Sequence, residues 1–273
     1  MKIKSTGLAI LSACLIIGVT FFGGCAQKQD NTQALEALKL AQRANDLVQL
    51  NNLMSLHAWY HAASMNDVEL EKIWAKRDDI VWAQNSGYWI GQKSIKEYYG
   101  PKVTRESTMG SFVWHTITSP VVEVAEDRQT AKGVWYTPGV VGSFKDGKGN
   151  FNWMFEKYGV DFVMENGEWK IWHMHVYTDT AWPVGGEITA QKGGPGGVPG
   201  AAPGGSSGGT SAPKSETVGK EAASAPSGPM KAPDKAEINY KELSPDTEIV
   251  LVPRPPVPYK TWSETWSYVD PGE

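Results

Sequence analysis

The stretch from Tyr158 to Tyr177 limits the possible fold more than any other part of this 273-residue chain. At its centre lies Asn166-Gly167, a dipeptide that readily adopts the two positive φ angles of a two-residue hairpin turn. Beyond the turn, alternate side chains are predicted to face opposite sides of a strand, and both sets are large: Ile171, His173, His175 and Tyr177 against Trp172, Met174 and Val176. Both faces of this hairpin are therefore expected to be covered.

Aromatic residues mark out a single domain. Ten of the twelve tryptophans lie between Trp59 and Trp182, and residues 183–239 contain no aromatic side chain. A domain over residues 44–182 is long enough to bury a sizeable core. The net charge of −4 and the lack of a basic stripe predict that the protein does not bind nucleic acid.

The N-terminus is predicted to be a targeting segment. Lys2 and Lys4 precede an apolar run, Gly7–Phe22, which ends shortly before Cys25. This arrangement resembles a bacterial lipoprotein signal, which implies a signal peptide over 1–24 and a lipidated Cys25. The chain would then be held by the membrane of the bacterial cell envelope, exposed outside the cytoplasm. The alternative is an ordinary signal peptide or membrane anchor. With Cys14 in the signal, the domain itself has no cysteine.

The remaining patterns predict an α+β fold. Apolar residues recur every three or four positions over residues 27–65, where residues 25–43 would form a helical tether, and shorter helical patterns cover 68–75 and 92–99. Strand patterns and turn residues follow, with a glycine-rich loop expected over 144–150. Strands that are joined by turns favour a largely antiparallel sheet, with the helices packed on one face. The predicted strands are 79–84, 111–118, 121–125, 130–136, 152–165 and 168–177.

The C-terminal third is predicted to contain a linker and a tail. Residues 183–237 are rich in Gly, Pro, Ala and Ser, a composition that indicates a disordered linker. Residues 238–273 regain aromatic side chains, including Trp262 and Trp266. This tail could dock on its own domain, cover a neighbouring subunit or bind a partner. Docking on its own domain is preferred because exposed tryptophans are costly in water.

Four segments together resemble a known family. They are LHAWYHAASMNDVELEKIWA, YWIGQKSIKEYY, WHTITSPVVEVAEDRQTAKGVWY and GEWKIWHMH, and they lie within residues 44–179. They resemble the SnoaL-like branch of the nuclear transport factor two-like superfamily. The resemblance implies a cone-shaped, curved, largely antiparallel sheet with three N-terminal helices packed on its concave face. It also implies a homodimer or small homo-oligomer.

The resemblance to scytalone dehydratase and the bile-acid dehydratases within this family implies three catalytic residues. Tyr60 matches the family's tyrosine and His115 its strand histidine, whereas His61 stands where scytalone dehydratase has an aspartate. Trp135 stands near the position of a second strand histidine. His115 would act as acid or base, Tyr60 as donor to a developing oxyanion, and His61 as proton partner. The alternative is that these residues are structural and satisfied within the core.

The resemblance and the many aromatic residues predict a pocket for a small apolar cyclic ligand. The expected substrate-binding residues are Trp82, Trp114, Trp135, Tyr158, Met174 and Val176. The predicted function is a lyase (dehydratase) or isomerase acting on a hydroxylated or keto-bearing cyclic compound. The alternative is a non-catalytic ligand-binding or scaffold lipoprotein. No cofactor is expected.

Two histidine pairs have spacings that could serve a metal, His57 with His61 and His173 with His175. No glutamate sits between the helical pair in the pattern of zinc proteases. The strand pair is expected to face outward, into a dimer interface, while Met174 and Val176 line the pocket. No metal site is therefore predicted.

Overall fold

The computed structural model covers the domain and much of the C-terminal tail. The predicted signal peptide, Cys25 and most of the predicted linker lie outside the described residues. The chain divides into two compact units, Met1–Ala44 and Asn45–Glu273. Within the described part, no helix is both long and apolar enough to cross a membrane. The described residues are 31–99, 108–145, 148–185, 231–236, 240, 242–245, 247–248 and 250–270.

Three α-helices are present in the described residues: α1 Asn31–Ala62, α2 Asn66–Lys72 and α3 Gly91–Tyr98. Each overlaps a helix predicted from the sequence, and α1 includes the described part of the predicted tether. Asp46, Leu50, Met54 and His57 are the buried residues of α1. Their spacing of three or four places them on one face, which is the stripe that a helix buries when it packs on a core.

Seven strands form one sheet in the order β2-β1-β7-β6-β5-β3, with β4 also paired to β5. β1 is parallel to β7, and the other strand pairs described are antiparallel. The predicted α+β class is thus confirmed, with a large mixed sheet. The strands are β1 Val81–Gln84, β2 Gly87–Ile90, β3 Ser111–His115, β4 Thr118–Val124, β5 Thr130–Lys145, β6 Lys148–Glu165 and β7 Glu168–Pro183.

The hairpin between β6 and β7 forms at the predicted turn. Asn166 and Gly167 have φ angles of 53° and 83°, and the flanking Glu165 and Glu168 pair across the strands. Positive φ at both central positions matches the right-handed twist of the two strands. The turn therefore fixes the register of the longest strands in the sheet.

The loop predicted over 144–150 is wrong, because strand structure continues to Lys145 and resumes at Lys148. The nearby Gly142 allows strands β5 and β6 to approach each other closely. A Cβ atom on Gly142 would lie 2.1 Å from the carbonyl oxygen of Asn150, a distance that no real side chain could keep. Strands β5 and β7 also run well past their predicted ends, since β5, β6 and β7 pair along almost their whole length.

A bulge changes the predicted alternation in β7. Opposite β6, Phe162 faces Ile171 but Asp161 faces His173, so Trp172 is an extra residue in β7. Ile171 consequently joins the core with Met174 and Val176, contrary to the simple two-residue period. The core side of the sheet is called the inner face below, and the opposite side the outer face.

The C-terminal arm, defined as the described residues of 231–270, docks on the domain as preferred from the sequence. Tyr88 at the edge of β2 bonds to Lys235 of the arm, with its N–H 2.8 Å from the carbonyl oxygen. Lys235 falls within the predicted linker, so the contacts with the domain include a residue that precedes the predicted tail. His173 and His175 do face away from the core. The arm covers them, however, where a dimer interface was predicted: the Tyr268 carbonyl lies 2.9 Å from His175 Nδ1.

The arm also closes over a buried charge on the outer face. Lys132 is fully buried, and its Nζ lies 2.7 Å from an Asp161 carboxylate oxygen. The rings of Trp262, Trp266 and Tyr268 surround this ammonium at 4.8, 5.0 and 4.5 Å. Cation–π contacts and the carboxylate together replace the water that the ammonium loses on burial.

Candidate functional site

A row of titratable side chains crosses the interior of the second unit. It draws on α1, α2, the residue after α3, and strands β3 and β6. Most of its members are buried, which is costly for polar groups unless they are paired or serve a function. This interior polar row consists of His57, His61, Glu69, Tyr99, His115, Glu156 and Tyr158.

The Glu69 carboxylate anchors one end of the row. Its Oε1 accepts hydrogen bonds from His57 Nδ1 at 2.8 Å and Trp74 Nε1 at 3.1 Å, and Oε2 accepts one from the Tyr99 hydroxyl at 2.7 Å. Burial acts to raise the pKa of Glu69, but the charge and hydrogen bonds of its neighbours, His57 foremost, outweigh it and lower the pKa below 4.5. Glu69 is therefore ionised at neutral pH.

His57 is held in one orientation by this carboxylate. Because Glu69 accepts at Nδ1, the Nδ1 atom of His57 carries a proton. The other ring nitrogen, Nε2, is buried and has no hydrogen-bond partner among the described residues. The ring also packs edge-on against Tyr158, with centroids 5.3 Å apart. A histidine oriented by a carboxylate, with its second nitrogen unused, has the arrangement of a general base.

His61 and His115 lie together in the middle of the row, as expected of two predicted catalytic residues. Their ring centroids are 4.9 Å apart. Burial, followed by the repulsion that His57 exerts when its ring is protonated, lowers the pKa of His61 to about 4. Burial and both neighbouring histidines lower the pKa of His115 well below 6.5, and neither of its ring nitrogens has a hydrogen-bond partner in the described structure. Both imidazoles are therefore neutral at pH 7.

Glu156 forms the other end of the row. One carboxylate oxygen lies 3.7 Å from His115 Nδ1, and the other accepts a hydrogen bond from the Thr178 hydroxyl at 2.9 Å. Burial raises the pKa of Glu156 to about 7, and Asp179 adds to the effect against the opposing Thr178 bond. Glu156 also borders a cavity of about 290 Å³ that Tyr136 and Phe155 help to line.

The two carboxylates of the row thus have opposite protonation preferences. Glu69 accepts three donors and stays ionised, whereas Glu156 has one donor and remains partly protonated near pH 7. Environments that separate the pKa values of two carboxyl groups allow one to support a base and the other to act as an acid. The row can therefore hold and deliver a proton at its two ends.

Tyr60, the third residue predicted to be catalytic, has a different setting. It is partly buried and packs against the core, and within the described residues no ring contact joins it to a histidine. The tyrosines in ring contact with histidines of the row are Tyr99, stacked on His61 at 5.6 Å, and Tyr158, which packs against His57. The role of Tyr60 as an oxyanion donor stays a prediction.

The predicted substrate-binding residues fall into two groups. Tyr158, Trp82, Trp135, Met174 and Val176 are all buried in the core around the row. Trp82 lies between His57 and Tyr99, at centroid distances of 6.3 and 4.1 Å, and its indole nitrogen is buried without a partner in the described residues.

Trp114 stands apart from that group. It is 49% exposed, and as the neighbour of His115 on β3 its side chain lies on the opposite face of the sheet.

Three members of the row were missed in the sequence, namely Glu69, Tyr99 and Glu156, and His57 was considered there only as a metal ligand. A signal for His57 existed, since it follows Met54 on the buried stripe of α1 and precedes His61 by four residues. Glu69 gave none, because a glutamate on a short polar helix ordinarily faces solvent. Among the described residues, no cluster of three or more His, Cys, Asp or Glu is arranged to hold a metal.

The neutral histidines predict destabilisation in acid. Burial lowers the pKa of His61 and of His175 to about 4, and it also lowers the pKa of His115. Below pH 6.5 these three histidines therefore bind fewer protons in the folded protein than in the unfolded chain. Glu156 acts oppositely, because it holds a proton when folded that the unfolded chain has released. Three protons against one leave a net two, so between pH 6.5 and 4.5 we expect unfolding free energy to fall by about 2 kcal/mol per pH unit. Denaturant titrations at several pH values measure this slope, and a flat profile would contradict it.

Replacing Glu156 by glutamine is predicted to stabilise the protein only at higher pH. Because the pKa of Glu156 is raised in the folded protein, its contribution to stability is complete below pH 4.5 and is lost as the pH rises through about 7. Glutamine removes this penalty and keeps an acceptor for Thr178. The expected gain is about 3 kcal/mol at pH 8 and close to zero at pH 4.5. An equal change in unfolding free energy at both pH values would show that burial does not govern Glu156.

Comparison with solved structures finds several of low similarity. A hexachlorocyclohexane dehydrochlorinase from Novosphingobium barchaimii is 14% identical, with 55% of this chain and 97% of that chain covered and a TM-score of 0.42. A protein described as a putative scytalone dehydratase from Novosphingobium aromaticivorans is 10% identical, with 52% and 89% covered and a TM-score of 0.43. Since the TM-scores lie below 0.5, these similarities carry no weight for the activity.

The family comparison is more informative. No curated protein matches the chain. The family model of the SnoaL-like domain, however, matches residues 42–175, which include α2, α3, most of α1 and the strands up to the middle of β7. Every member of the interior polar row falls within that match. Residues 42–175 of this chain therefore form a SnoaL-like domain, as the resemblance of the sequence predicted.

Proposed function

We propose that the interior polar row catalyses an acid–base reaction, the elimination of water from a hydroxylated or keto-bearing cyclic compound or the shift of a proton within one. The observation that carries this proposal is the pairing of an ionised Glu69 with a partly protonated Glu156 at opposite ends of three histidines. Elimination requires a base for a carbon-bound proton and an acid for the departing hydroxyl group.

His57 is the base in this proposal. Its Nε2 takes the proton from carbon, and the positive charge that forms on the ring is stabilised by Glu69, 2.8 Å from Nδ1. His115 is a weaker candidate than the sequence suggested, because burial lowers its pKa well below 6.5 and a weak base removes protons slowly. His115 and His61 lie between the carboxyl ends, where neutral imidazoles can pass a proton along.

Glu156 is the acid. It gives its proton to the leaving hydroxyl oxygen, which departs as water. The proton that His57 took from carbon then passes through His61 and His115 to Glu156, which restores the starting state. For isomerisation, His57 takes a proton from one carbon atom and Glu156 donates a proton to another. Tyr158 remains an uncharged hydroxyl, because burial raises its pKa well above 10, and can donate a hydrogen bond to a substrate oxygen. These steps use only side chains of this chain.

The setting favours an apolar cyclic substrate. Trp82, Trp135, Met174 and Val176 surround the row with apolar surface, and the cavity of about 290 Å³ borders Glu156. The buried nitrogens of His57, His115 and Trp82 have no partners among the described residues, so a ligand with polar groups would satisfy them.

Turnover by the full chain, purified in detergent, tests this proposal. A panel of hydroxysteroids, cyclic β-hydroxyketones and polyphenols is followed by mass spectrometry for loss of water and by absorbance for new conjugation. We expect His57→Gln and Glu156→Gln to slow turnover by about 10²–10⁴-fold. Glu71→Gln, an exposed glutamate of α2, is the matched control and should change nothing. Turnover that survives both substitutions would rule out the proposed roles.

The second candidate is a non-catalytic ligand-binding lipoprotein with the same fold. The specific observation in its favour is that Glu156 is the one member of the row that lines a described cavity, whereas aromatic side chains fill the interior around the rest of the row. Saturable binding of a panel compound without conversion, in the full chain and in His57→Gln alike, would support this candidate.

Anchoring in the cell envelope, oligomeric state and the finer shape of the fold complete the proposal. The basic and apolar N-terminal segment supports a lipidated Cys25, and Cys25→Ser should abolish incorporation of labelled fatty acid.

The family resemblance supports a cone-shaped sheet with helices on its concave face and a homodimer. Because the arm covers His173 and His175, a dimer would use other parts of the outer face, and the mass in solution tests it.

A further inference from the structure

A second cavity shares Phe155 and Asp179 with the cavity that borders Glu156, but no member of the interior polar row lines it. Its volume is about 320 Å³, which falls in the range of small-molecule sites. Strands β6 and β7 form one wall with Phe155, Trp182, Asp179 and Thr180, and the C-terminal arm forms the other with Tyr240 and Leu243. The site therefore exists only while the arm is docked on the sheet.

The strand wall offers an aromatic surface. The rings of Phe155 and Trp182 stack on each other, with centroids 5.1 Å apart and an interplanar angle of 8°. Phe155 is 41% exposed, so this surface is accessible from solvent. Flat, rigid aromatic surfaces of this kind favour planar ligands or ligands with one apolar ring face, because the contact costs little conformational entropy.

The polar side of the cavity is already charge-balanced. Asp179 Oδ1 lies 2.9 Å from Lys157 Nζ and also accepts a hydrogen bond from the Tyr240 hydroxyl. The Lys157 ammonium lies 5.1 Å from the Tyr240 ring centroid. Aromatic groups beside a carboxylate ordinarily suit a cationic ligand, but here Lys157 takes the cation's place. These contacts fall on Oδ1, and within the described residues no hydrogen bond to Oδ2 is found, so Oδ2 can accept one from a ligand hydroxyl, as Thr180 can also do.

The same contacts hold the arm in place. Lys157 Nζ donates to the Tyr240 hydroxyl at 2.9 Å, and the N–H of Leu243 donates to the carbonyl oxygen of Asp179 at 2.7 Å. Asp179 is the extra residue of a bulge in β7, since Glu156 faces Thr178 and Phe155 faces Thr180. Bulges of this kind redirect a side chain at functional sites. The bulge places Asp179 between the arm and the aromatic wall.

We propose that this second cavity binds a neutral ring that carries hydroxyl groups, either a saccharide unit or a phenol. The ring lies on Phe155 and Trp182, and its hydroxyl groups bond to Asp179 Oδ2 and Thr180. No member of the interior polar row lines this cavity, so it would serve as a binding site whether or not the row is catalytic.

The test is binding to the full chain in detergent, measured by titration calorimetry and by tryptophan fluorescence. Cellobiose is the saccharide probe, catechol the phenol probe and choline the cationic probe. We expect saturable binding of cellobiose or catechol, which identifies the source, and none of choline. Trp182→Ala should weaken that binding at least about tenfold, and Leu243→Ala, on the arm side, should weaken it severalfold.

Phe144→Ala is the matched control, because Phe144 is an exposed aromatic residue of β5 outside this cavity. It should leave binding within about twofold of the unchanged protein. Unchanged unfolding midpoints show that the variants remain folded. Binding of choline alone, no binding of either neutral probe, or equal weakening by Trp182→Ala and Phe144→Ala would each overturn the proposal.

Discussion

Replacing Asp161 by alanine is expected to lower the free energy of unfolding by about 3–5 kcal/mol, because it removes a carboxylate that is paired with the buried ammonium of Lys132. Both side chains are fully buried and lie 2.7 Å apart. Asp161 Oδ2 also accepts bonds from the Ser267 hydroxyl at 2.7 Å and the N–H of Tyr268 at 3.1 Å. Loss of this carboxylate therefore weakens the docking of the C-terminal arm as well as the sheet.

Denaturant unfolding of the full chain measures this cost, and hydrogen exchange at Tyr268 reports separately on the arm. Asp78→Ala is the matched control, because Asp78 is an exposed aspartate with no ion pair in the described structure, and it should have almost no effect. A cost for Asp161→Ala no greater than for Asp78→Ala would mean that Lys132 is not held as described.

Replacing Glu69 by alanine is expected to cost at least about 3 kcal/mol, because three buried donors lose their acceptor and each unsatisfied group costs about 1–3 kcal/mol. The donors are His57 Nδ1, Trp74 Nε1 and the Tyr99 hydroxyl. Glutamine keeps one acceptor oxygen and nearly the same volume, so Glu69→Gln should cost much less. Unfolding free energies of the two variants provide the comparison.

The control for Glu69 is Glu71→Ala on the same helix, where the side chain is exposed and the expected change is small. Glu69→Gln should also free His57 to change its tautomer, which nitrogen chemical shifts of the imidazole detect. Equal stabilities for Glu69→Ala and Glu69→Gln would contradict the three-donor description of this carboxylate.

The fold was largely predictable because its determinants are local. Asn166-Gly167 set the hairpin and the spacing of Leu50, Met54 and His57 set the buried face of α1. The errors come from long-range pairing. The glycine-rich composition of residues 144–150 indicated a loop, but strand pairing continues there, and the missing side chain of Gly142 lets β5 and β6 approach closely. The extra residue Trp172 in β7 cannot be recognised until β6 is in place beside it.

The candidate site was predictable only in part. His61 and His115 were identified through the family resemblance and do lie together. Glu69 and Glu156 were missed, because their importance depends on burial and on partners 12 and 41 residues away in the sequence, respectively His57 and His115. The preference for docking of the tail was confirmed, since two tryptophans in a short tail need apolar surface to cover them.

The central claim is that Glu69 and Glu156 carry opposite protonation states near pH 7. A pH titration of the carboxyl carbon shifts in protein labelled at glutamate tests it directly, with Glu69→Gln and Glu156→Gln to assign the two signals. The account predicts a midpoint near 7 for Glu156 and, for Glu69, ionisation maintained to below its ordinary pKa of 4.5. Titration of both groups together near 4.5 would contradict the account and remove the acid from the proposed reaction.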